Sequence, residues 1–196
     1  MLKKEAERIT GGLSKPRKMP EGSFNIPASA CQTGAKLALV KDTPCEGCYA
    51  LKGRYRVPNV KAALERRLKS LDHPDWVEAM ATLIKGKKHF RWHDSGDIQS
   101  VWHLINIFKV CRRTPNTKHW LPTQERKYLP MGSYPDNLTI RLSNAKNNTK
   151  PGQAWTHWAT VVDSGGDCPA SKQDNQCKSC RRCWDRNVKH VTYPKH

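Results

Sequence analysis

Apolar residues recur along the chain at two spacings, one typical of helices and the other of strands. Apolar side chains three to four positions apart predict three helices, over about 58–71, 73–85 and 99–112. Shorter apolar or alternating runs predict five strands, over 23–27, 89–93, 118–122, 137–142 and 156–162. Strands that alternate with helices are typical of parallel sheets. The pattern therefore predicts an α/β fold, built on an open parallel sheet or a partial (β/α) barrel of about five strands.

The same pattern divides the chain into three segments. Residues 1–22 are polar and basic and predict a poorly ordered arm. Residues 23–165 carry the predicted helices and strands and form the α/β core, in which Asp72 is placed to cap the second helix. Residues 166–196 form a cysteine-rich, metal-binding C-terminal segment that we expect to pack on the core.

The number and spacing of the cysteines favour a metal centre over disulfides. The eight cysteines are Cys31, Cys45, Cys48, Cys111, Cys168, Cys177, Cys180 and Cys183. Gaps of two residues, as in Cys45-Glu-Gly-Cys48, let neighbouring thiolates reach one centre, and such runs hold iron–sulfur clusters or zinc. Only Cys111 follows apolar residues at helical spacing, which predicts a core position. The other seven are candidate ligands of one or two 4Fe-4S clusters, with zinc as the alternative metal.

The sequence leaves open which cysteines share a centre. The four from Cys168 to Cys183 are sufficient for one site. Alternatively, the C-terminal segment folds back so that Cys45 and Cys48 complete a mixed site.

The charge of the chain points to an anionic partner. There are 35 Lys and Arg against 17 Asp and Glu, a formal net charge of +18. Nucleic acid is the usual partner for such a balance, although part of the charge could balance bound thiolates. The basic residues expected to contact nucleic acid are Lys87, Lys88, Arg91, Arg112, Arg113, Arg181 and Arg182. Trp76 and Trp102 lie on predicted helices and are expected in the core.

Polar residues follow the predicted strands at the end where parallel α/β sheets bind ligands. The segment from His93 to Asp97 follows the second strand, and Ser143 and Asn144 follow the fourth. Alternatively, His93 is a buried core residue and Asp97 only caps the next helix. Polar residues at several strand ends together favour a functional site.

Three segments resemble an uncharacterised family of "gene product" proteins that bacteriophages and other mobile elements carry. They are Ala30-Cys-Gln-Thr-Gly34, Cys45-Glu-Gly-Cys-Tyr-Ala50 and Phe90-Arg-Trp-His-Asp-Ser-Gly-Asp97. No apolar run approaches the roughly 20 residues that span a bilayer, and the N-terminus lacks the apolar stretch of a secretory signal. The resemblance thus implies a protein of the host cytoplasm, with no membrane partner.

A more distant similarity is to radical S-adenosylmethionine enzymes. Those families place three cluster cysteines after strand one, a Gly-Gly-Glu-like segment after strand two and ribose-binding residues after strand four. The similarity implies that Cys31, Cys45 and Cys48 hold a cluster with one open iron, which S-adenosylmethionine can occupy. It also implies cofactor contacts, at Ser95, Gly96, Asp97, Ser143 and Asn144. The chain departs from the pattern in the thirteen-residue gap before Cys45 and in Asp97, which replaces Glu.

Three functions remain compatible with the sequence. The first is an iron–sulfur enzyme of the radical S-adenosylmethionine type that acts on nucleic acid or a nucleotide. The second is a non-catalytic nucleic-acid-binding protein whose iron–sulfur or zinc centres are structural. The third is a metal-dependent nuclease that uses His93, Asp94 and Asp97 as catalytic ligands. Whether the chain is an enzyme therefore stays open at this point.

Overall fold

The computed structural model describes residues 1–195, which form helices and strands in alternation. The α-helices of this part of the chain are α1 (Lys3–Thr10), α2 (Thr33–Leu37), α3 (Pro58–Lys69), α4 (Trp76–Ile84) and α5 (Val101–Arg113). The β-strands are β1 (Ser23–Phe24), β2 (His89–Trp92), β3 (Lys118–Thr123), β4 (Leu138–Ser143), β5 (Trp158–Val162) and β6 (His190–Pro194). Across these residues, no helix has both the length and the apolar character needed to cross a bilayer.

The strands form one open sheet in the order β1-β2-β3-β4-β5-β6, and every neighbouring pair is parallel. Each strand therefore lies beside the strand that precedes it in the chain. The connections that carry α4 and α5 lie on one face of the sheet, whereas the connection from β5 to β6 passes over the other face. The predicted open parallel α/β fold is confirmed.

The sequence predicts about five strands, and β6 is the strand that it misses. β6 has one fully buried apolar residue, Val191, and it ends at Pro194. It lies at the edge of the sheet and pairs with β5 alone. An edge strand with so little apolar pattern gives a weak signal in the sequence.

The N-terminal segment is not the poorly ordered arm that the sequence predicts. Helix α1 packs on α4, where Ala6 and Ile9 contact Ala79 and Leu83 in one apolar cluster. Gly11 ends the helix in the left-handed conformation, with φ 74°. The apolar face of α1 is only two residues wide, and the surrounding charges hide it in the sequence.

The start of α4 also differs from the prediction, in which Asp72 is the cap. Asp72 lies in a short 3-10 turn, and His73 is extended, with φ −70° and ψ 129°. A residue before proline avoids the helical conformation, so the helix begins only after Pro74. Asp75 precedes the first helical residue, and its side chain makes no capping hydrogen bond.

The two faces of the sheet are covered differently. On the helical face, α4 and α5 bury apolar residues of β2, β3 and β4, including Phe90, Trp92 and Leu121. On the opposite face, Trp184 of the C-terminal segment packs on Trp120, with ring centroids 5.1 Å apart. The indole N–H of Trp184 also donates to the carbonyl oxygen of Phe90, at 2.9 Å. The cysteine-rich segment therefore covers the face that the helices leave open.

Two tryptophans expected in the core have different positions. Trp76 is 1% exposed and packs against Phe24 in the main core. Trp102 is 73% exposed, on the outer side of α5. The core prediction is wrong for Trp102, because Leu104, Ile107 and Phe108 form the apolar face of that helix.

Buried histidines give the core a dependence on pH. The ring of His119 stacks on Trp92 at 6.0 Å, and its Nε2 lies 2.9 Å from Thr114 Oγ1. Burial lowers the pKa of His119 to about 3, and burial lowers the pKa of His103 to about 4. Both rings therefore stay neutral in the folded protein at pH values where the unfolded chain binds protons.

We expect the free energy of unfolding to be highest above about pH 6.5 and to fall as the pH drops towards 4. In this window each of the two histidines binds a proton in the unfolded chain but not in the folded protein. Each therefore lowers the free energy of unfolding by up to about 1.4 kcal/mol per pH unit. His119→Phe keeps a ring against Trp92 but does not titrate, so its fall should be shallower by about that amount. Urea unfolding at several pH values measures both slopes. Equal slopes would contradict the buried, neutral state of His119.

Candidate metal centre at the carboxyl edge of the sheet

The loops that follow β1 and β2 are fastened together at the carboxyl edge, the side of the sheet where the strands end. Ser95 Oγ donates to the carbonyl oxygen of Ile26 at 3.0 Å, and the N–H of Ile26 donates back to the carbonyl oxygen of Ser95 at 3.1 Å. Gly96 has φ 82°, and a Cβ built there would lie 2.2 Å from Ile26 Cγ1. Only glycine fits this crossing, so Gly96 has a structural reason to be present.

Asp97 is buried and ties the loop after β2 to the loop after β3. Its carboxylate accepts hydrogen bonds from Thr123 Oγ1 at 2.7 Å and from the N–H groups of Gln124 and Ile98, both at 2.8 Å. Burial raises the pKa of Asp97 to about 7, against the hydrogen bonds, which lower it. Ser100 caps α5 by accepting from the N–H of His103, so Asp97 is not the cap of that helix.

Glu125, which follows β3, holds the segment directly after Cys31. The carboxylate is fully buried and accepts from the N–H groups of Gln32 and Thr33 at 3.1 and 2.7 Å. Its second oxygen accepts from Thr33 Oγ1 at 2.7 Å. Glu125 therefore fixes the position of Cys31 against the edge. Sequence reasoning gave it no role, although it is one of the polar residues after a strand.

The three cysteines of the loop after β1 gather beside these carboxylates. Cys31, Cys45 and Cys48 are free and half-buried. A Cβ built at Gly34 would lie 3.6 Å from Cys45 Sγ and 3.7 Å from Cys31 Sγ. The two sulfurs thus face a common space that the missing side chain of Gly34 leaves open.

The charges around this space oppose thiolate formation. Burial, followed by the nearby Asp97, raises the pKa of Cys31, and burial with Cys48 raises the pKa of Cys45 to about 12. The thiols are therefore protonated at neutral pH until a cation takes the place of the protons. A cation is also what the surrounding carboxylates favour.

The side chains as they lie in the structure do not yet form a coordination shell. Within residues 1–195, no group of three or more His, Cys, Asp or Glu side chains is arranged so that it could hold a metal ion. A centre on Cys31, Cys45 and Cys48 therefore requires the sulfurs to draw closer together.

The structure does not bring His93, Asp94 and Asp97 together as one set of ligands. Asp94 pairs with Arg91 at 2.8 Å and accepts from the hydroxyl of Tyr55 at 2.6 Å. His93 is 3% exposed, and its ring lies against His103 in the interior, where burial lowers the pKa of His93 well below the usual value. The predicted nuclease site is therefore wrong in its geometry, because each side chain faces different partners.

Ser143 and Asn144 lie at the same edge as the cysteine loop. They line a cavity of about 20 Å³ together with Pro44, the residue before Cys45. Asn144 donates to Thr160 Oγ1 at 2.8 Å and is 5% exposed. The loop after β1 therefore extends across the edge from β1 to the end of β4.

The basic residues expected to contact nucleic acid are divided between surface and interior. Lys88, Arg112, Arg113 and Arg182 are exposed, and Lys87 and Arg181 are half-buried. The side chain of Arg91 is 11% exposed and lies over the ring of Trp120 at 4.3 Å. Its pairing with Asp94 makes it an internal cation, so the prediction of a nucleic-acid contact is wrong for Arg91.

The cysteines of the C-terminal segment lie elsewhere, on the opposite face of the sheet. Cys177 and Cys183 belong to the apolar cluster around Trp120 and Trp184. The sulfurs that shift the pKa of Cys183 and of Cys177 come from their own segment, Cys168 in both cases. A mixed site that includes Cys45 and Cys48 is therefore not what the chain builds.

The comparisons with known proteins assign a family to this chain. The family model described as Gene product 88 matches residues 1–166. No curated protein and no solved structure matches the chain, and none of the comparisons connects it with radical S-adenosylmethionine enzymes. The matched part contains the carboxyl ends of β1 to β5 with the three cysteines and ends before Cys168. The chain therefore belongs to the Gene product 88 family, a phage-type family without an established function.

Proposed function

We propose that the chain is an iron–sulfur enzyme of the radical S-adenosylmethionine type, which acts on nucleic acid or a nucleotide. The observation that carries the proposal is the space beside Gly34, onto which Cys31 and Cys45 both open at the carboxyl edge. This edge is where parallel α/β sheets bind their ligands. The sequential order of the six parallel strands supports the same proposal, because strands follow one another in this order in (β/α) barrels.

Three thiols from one loop suit a cluster with an open position. Cys31, Cys45 and Cys48 supply three ligands, and the C-terminal cysteines lie too far around the sheet to supply the fourth. A bound cluster would supply one-electron chemistry at the ligand that occupies its open iron. The residues of this chain would hold the cluster, orient the ligand and keep water away.

The charge of the edge fits a cationic ligand. Asp97 and Glu125 are both buried there, and their carboxylate oxygens accept hydrogen bonds from backbone N–H groups and threonine hydroxyls. S-adenosylmethionine carries a sulfonium and an ammonium group, and both favour a negative environment. Ser95 and Asn144 are buried at the same edge, where their side chains already bond Ile26 and Thr160.

A groove on the outside of α5 offers a route for a polymeric substrate. It has a volume of about 770 Å³, and Trp102, Lys109 and Arg113 lie along one wall. One end is formed by Gln99. Its carbonyl oxygen accepts a hydrogen bond, at 2.9 Å, from Nε2 of Gln32, the residue directly after Cys31. A strand in this groove would therefore lead towards the proposed centre.

The opposite wall of this groove is acidic and restricts how phosphate could lie in it. Asp72, Asp75 and Glu78 line that wall. They repel phosphate groups, so the contact has to follow the wall formed by α5.

Replacement of the three loop cysteines tests the proposed function. Cys31→Ser/Cys45→Ser/Cys48→Ser should lose one cluster's iron and acid-labile sulfide, and S-adenosylmethionine binding by calorimetry should fall below detection. Gly34→Ala places a methyl group 3.1 Å from Cys31 Cβ and 3.6 Å from Cys45 Sγ, so Cys31 has to shift by a few tenths of an ångström and iron occupancy should fall. Cys111→Ser, at a buried site away from the edge, is the matched control and should keep both. Unchanged iron and sulfide in the triple variant would refute the proposal.

The alternative function is non-catalytic binding of single-stranded nucleic acid, and the exposure of Trp102 favours it. An indole that is 73% exposed beside Lys109 and Arg113 is a surface on which a base can stack next to its phosphates. Here the metal centres would only be structural. S-adenosylmethionine binding separates the two functions, because the alternative requires none.

Trp102→Ala should weaken binding of single-stranded DNA or RNA by about 1–3 kcal/mol, which is about 5- to 150-fold, because one stacked base is lost. Val101→Ala removes an exposed apolar neighbour of similar position and should leave affinity unchanged. Lys109→Ala should lower the salt dependence of binding by about one counterion. Fluorescence anisotropy across a salt series measures all three. Equal affinity in Trp102→Ala and the wild type would rule out this groove as the binding surface.

A further inference from the structure

A buried arginine on the opposite face of the sheet lacks a counter-ion. Arg141 of β4 is fully buried, and among residues 1–195 no carboxylate oxygen lies within 4.0 Å of it. Its Nε donates to the carbonyl oxygen of Cys183 at 3.0 Å, and Nη2 donates to those of Arg182 and Asp185 at 2.7 and 2.9 Å. Its Nη1 is buried without a partner in this part of the chain. A buried cation with only carbonyl partners is costly unless negative charge lies nearby.

Burial lowers the pKa of Arg141, and the ionisable groups that act against this are Tyr193, Cys183 and Asp185. Cys183 is 8% exposed, and its Sγ lies 3.2 Å from the hydroxyl of Tyr193. The guanidinium of Arg141 is hydrogen-bonded to the backbone of Cys183, which places the buried cation beside this cysteine.

The backbone holds all four cysteines of the segment on fixed elements. The N–H of Cys168 donates to the carbonyl oxygen of Thr192 in β6 at 3.0 Å. The N–H of Cys177 donates to the carbonyl oxygen of Lys18, and that of Cys180 to the carbonyl oxygen of Cys177, both at 2.8 Å. Cys183 is held through Arg141. The set therefore joins the N-terminal segment, β4 and β6.

The turns that carry these cysteines are strained on their own. Asp174, Asn175 and Lys178 adopt the left-handed conformation, with φ 58°, 56° and 40°. Lys178 lies inside the Cys177-Lys-Ser-Cys180 turn, and a side chain of its kind rarely takes this conformation. Strain of this sort persists where an additional interaction over-determines the turn.

We propose that Cys168, Cys177, Cys180 and Cys183 bind a thiophilic metal centre as four thiolates and that Arg141 is its counter-charge. Four thiolates around Zn²⁺ or around a 4Fe-4S cluster leave two negative charges, which a buried guanidinium stabilises. The four side chains have to close around the metal, because in the part of the chain that the structure describes no group of three or more His, Cys, Asp or Glu side chains is already arranged to hold an ion. With four protein ligands the centre would be closed and structural. It fastens β6 and the segment around Lys18 to the sheet. This proposal does not depend on the proposed function, because it concerns other cysteines, on another face and beyond residue 166.

The experiment uses the full chain with the carboxyl-edge cysteines removed. Cys31→Ser/Cys45→Ser/Cys48→Ser, purified without oxygen, should retain one centre per chain by elemental analysis and native mass spectrometry. Zinc without sulfide identifies a zinc site, and iron with matching sulfide identifies a cluster. Addition of Cys177→Ser and Cys180→Ser should abolish it, whereas addition of Cys111→Ser should not. An edge-triple variant that holds no metal would overturn this proposal, even if the wild-type protein carries a cluster at the edge.

The role of Arg141 has its own readout, which is metal affinity against a competing chelator. Arg141→Met removes the charge and should weaken binding by about 10- to 100-fold, the range for loss of an outer partner of a metal site. Arg141→Lys keeps the charge and should stay closer to the wild type, which separates charge from folding if the methionine variant is unstable. Arg112→Met, on an exposed part of α5, is the control. Equal affinity in the methionine and lysine variants would overturn the counter-charge role.

Discussion

Two buried carboxylates hold the carboxyl edge of this sheet together, and the geometry of the candidate site depends on them. Asp97 joins the loop after β2 to the loop after β3, and Glu125 joins the latter to the start of α2. Each uses its oxygens on backbone N–H groups and a threonine hydroxyl, so each buried charge is satisfied locally. Cys31 immediately precedes the residues that Glu125 holds. Glu125 thus fixes the first of the three cysteines, while the bonds of Gln32 to Gln99 and of Tyr55 to Asp94 hold other parts of the same loop.

The two groups of cysteines lie in opposite electrostatic surroundings. Carboxylates adjoin Cys31 at the edge, whereas Arg141 and Arg91 adjoin Cys183 on the other face. Burial raises the pKa of the cysteine in both places, but the carboxylates near Cys31 raise it further, whereas the arginines near Cys183 lower it. If both proposals hold, a centre at the edge would gain from a cationic ligand at an open position, and a centre on the opposite face would gain from the two arginines.

Patterns of residues along the chain predict the parts of the structure that depend on local sequence. Apolar spacing predicts the helices α3 and α5 and the bounds of four strands to within two residues. It thereby also locates the polar residues that follow β2 and β4. The start of α4 does not, because the restriction that Pro74 places on His73 outweighs the capping tendency of Asp72. Helix α1 and strand β6 have apolar faces too narrow to stand out among charged residues.

Side chains whose role depends on distant partners could not be read from the sequence. From the sequence Arg91 is expected on the surface, but in the structure it lies between Asp94 and Trp120. Arg141 lies in β4, and nothing in the sequence of that strand indicates that the C-terminal segment covers it. Gly34 gave one available signal, a glycine in a short helix directly after a candidate ligand. The sequence does not show that Cys45, eleven positions away, also lies beside Gly34.

Anomalous X-ray diffraction from crystals of the anaerobically purified protein, collected on both sides of the iron absorption edge, tests the central claim most directly. The account predicts an iron peak at the carboxyl edge, beside Gly34 and within bonding distance of the sulfurs of Cys31, Cys45 and Cys48. It would be contradicted by an edge without iron, in which these cysteines are paired as disulfides or turned away from one another.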